Sequence, residues 1–174
     1  MTWTAPEISR PEGSLVAGER ELLAGYLDFY RTTLLFKCAG LTAEQLAERA
    51  APPSNLCLLG LIRHLTKVER IWFRRNFANG RFEPAEPLFA PELGKDADFE
   101  LIDASRAQAE YEQLIEEWRL SDKAVAAYDL DERFDLQGEE SSLRMIYPHM
   151  IGEYARHCGH ADMIRERLDG VTGA

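Results

Sequence analysis

The stretch from Ser54 to Trp72 reads SNLCLLGLIRHLTKVERIW, and it decides the fold class of this chain. Its apolar residues recur every three or four positions, which is the period of an amphipathic α-helix. The stripe consists of Leu58, Leu61, Leu65, Val68 and Trp72. Ser54 follows Pro52 and Pro53 and is the expected N-terminal cap, and we expect the helix to end near Asn79–Gly80.

Two helices are predicted N-terminal to this stretch. Ser14 is the expected cap of a first helix, which ends at Gly40. Its apolar stripe consists of Leu23, Leu27, Tyr30 and Leu34. Thr42 and Gln45 form a capping-box pattern, which predicts a short helix that ends near Arg49.

Two long helices are predicted C-terminal to it. One runs from about Asp103 to Tyr128, with an apolar stripe at helical spacing. The other is capped by Ser141 or Ser142 and ends at Asp169–Gly170. Pro148 lies inside this last helix, so we expect a kink or a local break there.

Four long amphipathic helices predict an all-α fold, namely a four-helix bundle with long connections in a single domain over residues 1–174. No convincing strand pair is expected, although Phe134–Leu136 suits a short extended piece within the acidic connection 129–140. The long connection between the second and third long helices contains Pro84, Pro87, Pro91 and Gly94. Its length predicts a lid or a loop that lines a site.

Composition excludes several classes of partner. The formal net charge is −10, so we expect no nucleic-acid binding and no binding to anionic membranes, both of which need a cationic face. No apolar stretch is long enough to span a bilayer, and the first residues show no signal peptide. The three cysteines form no CxxC pair, which favours reduced thiols and a cytoplasmic location.

The last helix carries PHMIGEYARHCGH at residues 148–160, with three of the four histidines of the chain. Residues four apart on a helix lie about 6 Å apart along its axis and nearly on one face, so Glu153 and His157 can share one ion. The pairs His149–Glu153 and His157–His160 are also feasible. His149 and His157 are about 12 Å apart along the axis, too far to share an ion.

The fourth histidine, His64, lies on the flank of the apolar stripe of the second long helix and should point into the bundle. With Glu153 and His157 it would complete a site of two histidines and one carboxylate from facing helices. Three protein ligands leave a position open for water or substrate, as in catalytic zinc sites, and nickel, iron or manganese accept the same ligands. Histidines on helices are also often hydrogen-bonded without a metal, so the spacing alone leaves both interpretations open.

Three segments carry a family resemblance that covers nearly the whole chain: LDFYRTTLL at 27–35, LIRHLTKVER at 61–70 and EYARHCGHAD at 153–162. Together they resemble the DinB-like metalloenzymes, in the actinobacterial branch that is related to mycothiol-dependent enzymes. The resemblance implies a four-helix bundle with a divalent metal held by His64, Glu153 and His157. Zinc is the first choice for this metal, and nickel, iron and manganese are the alternatives. The first of the two ligands on the last helix is a glutamate, Glu153, and in this respect the chain is similar to mycothiol-dependent maleylpyruvate isomerase.

The function that this resemblance implies is a metal-dependent S-transferase or isomerase that uses a low-molecular-weight thiol, mycothiol, and an electrophilic substrate. His160 would support the ligands or relay protons, and Arg63 and Arg156 are candidate contacts to the thiol. By analogy with the family, we expect the chain to pair as a homodimer. Two other functions stay open: another metal-dependent hydrolase or isomerase reaction at the same site, and a non-catalytic, stress-associated metal-binding protein.

Overall fold

A computed structural model of the chain describes residues 3–79, 81, 87–89 and 91–173. Its helices are α1 (Glu19–Phe36), α2 (Ala43–Ala47), α3 (Leu58–Glu69), α4 (Ala97–Glu100), α5 (Ala107–Val125) and α6 (Leu143–Asp169). A π-helix, Arg70–Phe77, continues α3, and 3₁₀ turns lie at Pro91–Leu93 and Ala104–Arg106. The mostly helical fold is therefore as predicted.

The structure also contains a β-hairpin, formed by β1 (Arg133–Leu136) and β2 (Glu139–Ser142). The extended piece at Phe134–Leu136 is confirmed, but the expectation that the chain has no strand pair is wrong. The turn places Gln137 at φ 58° and Gly138 at φ 93°, the left-handed geometry of a tight hairpin turn.

Two predicted helix caps are wrong. The Ser14 hydroxyl accepts a hydrogen bond from the Val16 amide in an exposed turn, and α1 begins only after Gly18. The Ser54 hydroxyl likewise accepts from the Leu56 amide, and Cys57 caps α3 by accepting from the Gly60 amide through its sulfur. In both cases the serine forms a local turn instead, because its short side chain bonds amides close by.

The other predicted boundaries agree more closely with the structure. The Thr42–Gln45 capping box is present at α2, and Gly170 ends α6 with φ 78°. The last helix runs without a break through Pro148. Of the predicted features, Gly80 at the end of the second long helix and Pro84 of the candidate lid lie outside the described residues.

The core lies where the long helices face one another. Helix α3 packs against α5 and α6, α1 packs along α6, and α4 lies across α3. Fully buried leucine and isoleucine side chains fill the space between them, including Leu34, Leu61, Leu65, Leu114 and Ile146. This packing sets one face of α3 opposite the middle of α6. Within the described residues, no helix has both the length and the apolar character that a membrane span requires.

Candidate metal site

Three of the predicted ligands meet where α3 faces α6. The Nε2 atoms of His64 and His157 each lie 3.7 Å from Oε2 of Glu153. One ligand atom from each of the three residues lies within 4.8 Å of the other two. Ligand atoms around a tetrahedral zinc ion are roughly 3.3 Å apart, given zinc–ligand distances near 2.0 Å. Two imidazoles and a carboxylate at this spacing fit a divalent cation after a small contraction.

Burial sets the charge state of one of these imidazoles. His157 is buried, and this desolvation, reinforced by the neighbouring His64, lowers the pKa of His157 to about 4 although Glu153 acts to raise it. The ring is therefore neutral near pH 7, with a lone pair available to a metal. His64 and Glu153 are half-buried, so part of the cluster is exposed to solvent.

Asp98, which the sequence analysis did not identify, orients His64 from behind. Its Oδ2 lies 2.7 Å from Nδ1 of His64 and 2.5 Å from Nζ of Lys67. Burial alone would raise the pKa of Asp98, but the hydrogen bonds from His64 and Lys67 lower it. A carboxylate on Nδ1 keeps the proton there and turns the Nε2 lone pair toward Glu153 and His157, as in many metal sites.

Phe99, the next residue of α4, stacks on the His64 ring, with ring centroids 5.1 Å apart and planes inclined by 29°. Helix α4 can lie this close to α3 because Gly60 has no side chain. A Cβ atom at Gly60 would lie only 2.9 Å from the Phe99 ring. The glycine therefore places α4 where Asp98 and Phe99 both contact His64.

His160 contacts the cluster through His157. The two Nδ1 atoms are 3.2 Å apart, so one ring donates a hydrogen bond to the other. If His157 carries its proton on Nδ1, its Nε2 is free to bind a metal, and His160 accepts that proton's hydrogen bond. This geometry is consistent with the predicted supporting position of His160.

The remaining predicted residues differ in how near they lie to the cluster. Arg156 is exposed and its Nη2 lies 3.0 Å from Oε1 of Glu153, at the rim. The structure does not bring Arg63 to the cluster: its guanidinium is buried, pairs with Glu110 and donates to the carbonyls of Ala97 and Asp98. Its predicted contact with a thiol stays a prediction.

His149 also lies outside the cluster. Its ring packs on Trp72, with centroids 4.0 Å apart. This agrees with the axial spacing, which separates His149 from His157 by two helical turns.

A buried ionic network beneath the cluster fixes α6 relative to α3. Arg31 of α1 donates to both carboxylate oxygens of Glu69, at 2.7 and 2.9 Å. The Tyr154 hydroxyl donates to Glu69 at 3.0 Å and accepts from Nε1 of Trp118 at 2.7 Å. Burial raises the pKa of Glu69, against the opposing effect of Arg31. Because Tyr154 follows Glu153 directly, these contacts set the position of a predicted ligand.

Asp98 and Glu69 could not be found from the sequence for different reasons. Asp98 lies 34 positions from His64, in a short helix with no apolar period that would orient it. Glu69 gave one weak signal, since it lies one helical turn after Leu65 on the apolar side of α3. An acid at a core position requires a buried partner, which the sequence alone does not name.

Comparison with known proteins gives a result at the level of the family. No curated protein and no solved structure matches the chain. The model of the family described as mycothiol-S-transferase matches residues 22–170, a range that includes His64, Glu153 and His157. This match covers most of the sequence, and the chain therefore belongs to the mycothiol-S-transferase family.

Proposed function

We propose that the protein is a metal-dependent S-transferase that joins the sulfur of mycothiol to an electrophilic small molecule. The observation that carries this proposal is the convergence of His64, Glu153 and His157 within a chain of this family. The name of the family does not say which residues of this chain take part in the reaction. The cluster points to three of them, because it has the composition of a catalytic metal site with an open position.

In this proposal His64, Glu153 and His157 are the metal ligands, with zinc as the first choice. A divalent cation at this position supplies Lewis acidity, which lowers the pKa of a coordinating thiol and favours the nucleophilic thiolate. Asp98 and His160 hold the two imidazoles in the required tautomers. Because the N–H of His157 occupies Nδ1 of His160 in this arrangement, the thiol proton passes to solvent, and Arg156 at the rim is placed to contact the body of the thiol.

The cysteines of the chain favour a reaction in which a separate small molecule supplies the thiol. Cys38, Cys57 and Cys158 are all buried and free. Burial raises the pKa of Cys38 and Cys158 to about 12, so neither supplies a thiolate at neutral pH. Free thiols are also typical of a reducing compartment, and we propose a cytoplasmic location.

The proposal includes the architecture of a four-helix bundle. The four long helical segments are α1, α3 with its π-helical continuation, α5 and α6. Metal sites in such bundles take ligands from facing helices, and here the candidate ligands lie on α3 and α6.

The test combines metal analysis with a conjugation assay. The purified protein should bind about one equivalent of zinc, and it should accelerate the conjugation of mycothiol to monobromobimane. His64→Ala should lose most of the bound metal and lower kcat/KM by about 100-fold or more. His149→Ala is the matched control, because His149 lies on the same helix as two ligands but outside the cluster.

Two results would contradict the proposal. Equal zinc binding by His64→Ala and the parent protein would show that the ligand assignment is wrong. Absence of turnover with mycothiol and with other small thiols, despite bound metal, would show that the protein is not an S-transferase. Turnover without a thiol would instead favour a hydrolase or isomerase at the same site.

A further inference from the structure

A pocket of 320 Å³ lies between residues 67–75, at the junction of α3 and its π-helix, and residues 87–89 and 94–95. We propose that this pocket binds a small organic acid, with the carboxylate on its cationic side and an apolar body against the opposite wall. This proposal concerns the binding of an organic anion and does not depend on the proposed function.

The charge of the pocket is opposite to that of the protein. Its lining includes Lys67, Arg70, Arg75 and Lys95, and the described residues that line it include no aspartate or glutamate. The whole chain carries a formal net charge of −10. A concentration of positive charge in an acidic protein attracts anions to that position.

Two of these cations are available to a ligand. Lys67 is bound to Asp98, and Arg70 is bound to Glu117. Arg75 and Lys95 are both exposed, and neither side chain has a hydrogen bond or an ion pair with any residue that the structure describes. An arginine and a lysine on one pocket suit a carboxylate, which accepts hydrogen bonds from both.

The rest of the lining is apolar. Ile71 forms part of the helical wall, and Pro87, Leu88 and Phe89 form the wall opposite. An inorganic anion would leave these side chains without contacts, whereas an acid with an aromatic or branched aliphatic body would cover them. The volume lies at the lower end of the range for small-molecule sites, which favours a compact acid.

The pocket is connected to the candidate metal site by two contacts. Nζ of Lys67, which lines the pocket, lies 2.5 Å from Oδ2 of Asp98, and the same oxygen lies 2.7 Å from Nδ1 of His64. Asp98 is therefore the common neighbour of the pocket and of His64, on the Nδ1 side of that ring. An acid bound in the pocket lies beside the Lys67–Asp98 pair and not at the cluster itself.

The test is a calorimetric titration of the full-length protein with 2-naphthoate, without any thiol. Wild type should bind 2-naphthoate, and the uncharged 2-naphthamide should bind more weakly. The double variant Arg75→Gln/Lys95→Gln should weaken 2-naphthoate binding by about tenfold. The control Lys123→Gln/Arg167→Gln removes the same two charge types from exposed helix positions and should bind like wild type.

A further variant distinguishes the pocket from the metal site. His64→Ala should retain 2-naphthoate binding, because the carboxylate is held by Arg75 and Lys95. Loss of binding in His64→Ala would place the carboxylate at the cluster and overturn the proposal. Unchanged binding in Arg75→Gln/Lys95→Gln would do the same. Circular dichroism checks that each variant is folded, and the single variants, both at exposed positions, serve if the double variant is not.

The outcome is independent of the transferase proposal. If mycothiol conjugation fails but 2-naphthoate binds as expected, the organic-anion pocket stands and the transferase proposal fails. If neutral electrophiles are conjugated and 2-naphthoate does not bind, the transferase proposal stands and the pocket proposal fails.

Discussion

Asp98 contributes to the candidate metal site without belonging to the ligand set. It is buried, and its contact with Nδ1 of His64 fixes which nitrogen of that ring faces Glu153 and His157. Removal of the carboxylate frees the ring to change tautomer and to rotate, so part of its orientation must be recovered when a metal binds.

We therefore expect Asp98→Ala to weaken zinc affinity by about 10–100-fold, with a smaller effect for Asp98→Asn, which still accepts a hydrogen bond. Competition with a chromogenic chelator measures this affinity directly. Asp96→Ala is the matched control, because Asp96 is exposed in the same segment and its side chain does not cap α4. Equal affinities for Asp98→Ala and Asp96→Ala would contradict the positioning role.

The buried thiols give a second prediction for single residues. With a pKa of about 12, Cys38 and Cys158 are thiolates in only about one molecule in ten thousand at pH 8, whereas an exposed thiol is substantially ionised. Burial raises the pKa of Cys57 as well.

The native protein should therefore show no rapidly reacting thiol with Ellman's reagent at pH 8, and three in concentrated guanidinium chloride. Reactivity should rise with pH only well above 9, because the neutral form is favoured in the folded state up to the raised pKa. A fast thiol in the native protein, traced by serine substitution, would point to a nucleophile within the chain itself.

At the scale of elements, the pairing of α1, α3 and α6 depends on a buried charge. Glu69 is 0% exposed, and Arg31 is 2% exposed and neutralises it. Breaking such a pair leaves a desolvated charge without a partner, which costs far more than replacing both members by apolar residues.

Arg31→Met should therefore lower the free energy of unfolding by about 3–5 kcal/mol, as measured by urea denaturation. Arg31→Met/Glu69→Met should recover a large part of this loss, since no unpaired charge remains. In a double-mutant cycle the two effects should deviate from additivity by about 2 kcal/mol or more. Additive effects would show that Arg31 stabilises the fold through its contacts with Asp28 and Asp122 instead.

The helices, the hairpin and the caps differ in how well the sequence predicts them. The long helices were predicted because their apolar residues repeat at helical spacing over many turns. The hairpin was not, because β2 reads EESS and shows no alternation of apolar and polar residues. The π-helix likewise leaves no sequence period distinct from that of an α-helix. Caps failed where a serine could form its own turn, as at Ser14 and Ser54.

In the candidate site, the sequence predicts contacts between residues that are close together on one helix, but not contacts between residues far apart in the chain. Glu153 and His157 are four residues apart on one helix, so helical geometry alone brings them together, and the family resemblance that implied them is confirmed by the family match. Asp98 and Phe99 reach His64 only through the packing of α4 on α3. That packing depends on the small size of Gly60, whose role becomes visible only in three dimensions.

At the scale of the whole molecule, the cluster joins segments that are about 90 positions apart in the chain. An ion bound by His64, Glu153 and His157 therefore bridges α3 and α6 and requires the folded state, because the unfolded chain does not hold the three residues together. A ligand that binds only the folded state raises its stability by mass action, about 2.7 kcal/mol at a free concentration 100 times Kd.

For a chain of this length that gain corresponds to a rise in Tm of roughly 5–10 °C. We expect zinc to produce this shift in differential scanning calorimetry, and a chelator to reverse it. His157→Ala should abolish the shift, and His149→Ala should keep it. Magnesium at the same concentration should have little effect, since it prefers an all-oxygen octahedral shell over imidazole ligands.

The magnesium control matters because the chain has 30 acidic residues, which can attract divalent cations without a built site. Nonspecific binding of this kind is screened by salt, so a shift that it causes should fall as sodium chloride is raised. Coordination by His64, Glu153 and His157 should survive the same change. An equal rise in Tm for His157→Ala, or a shift that disappears in salt, would show that zinc acts on the acidic surface and that the cluster is not a metal site.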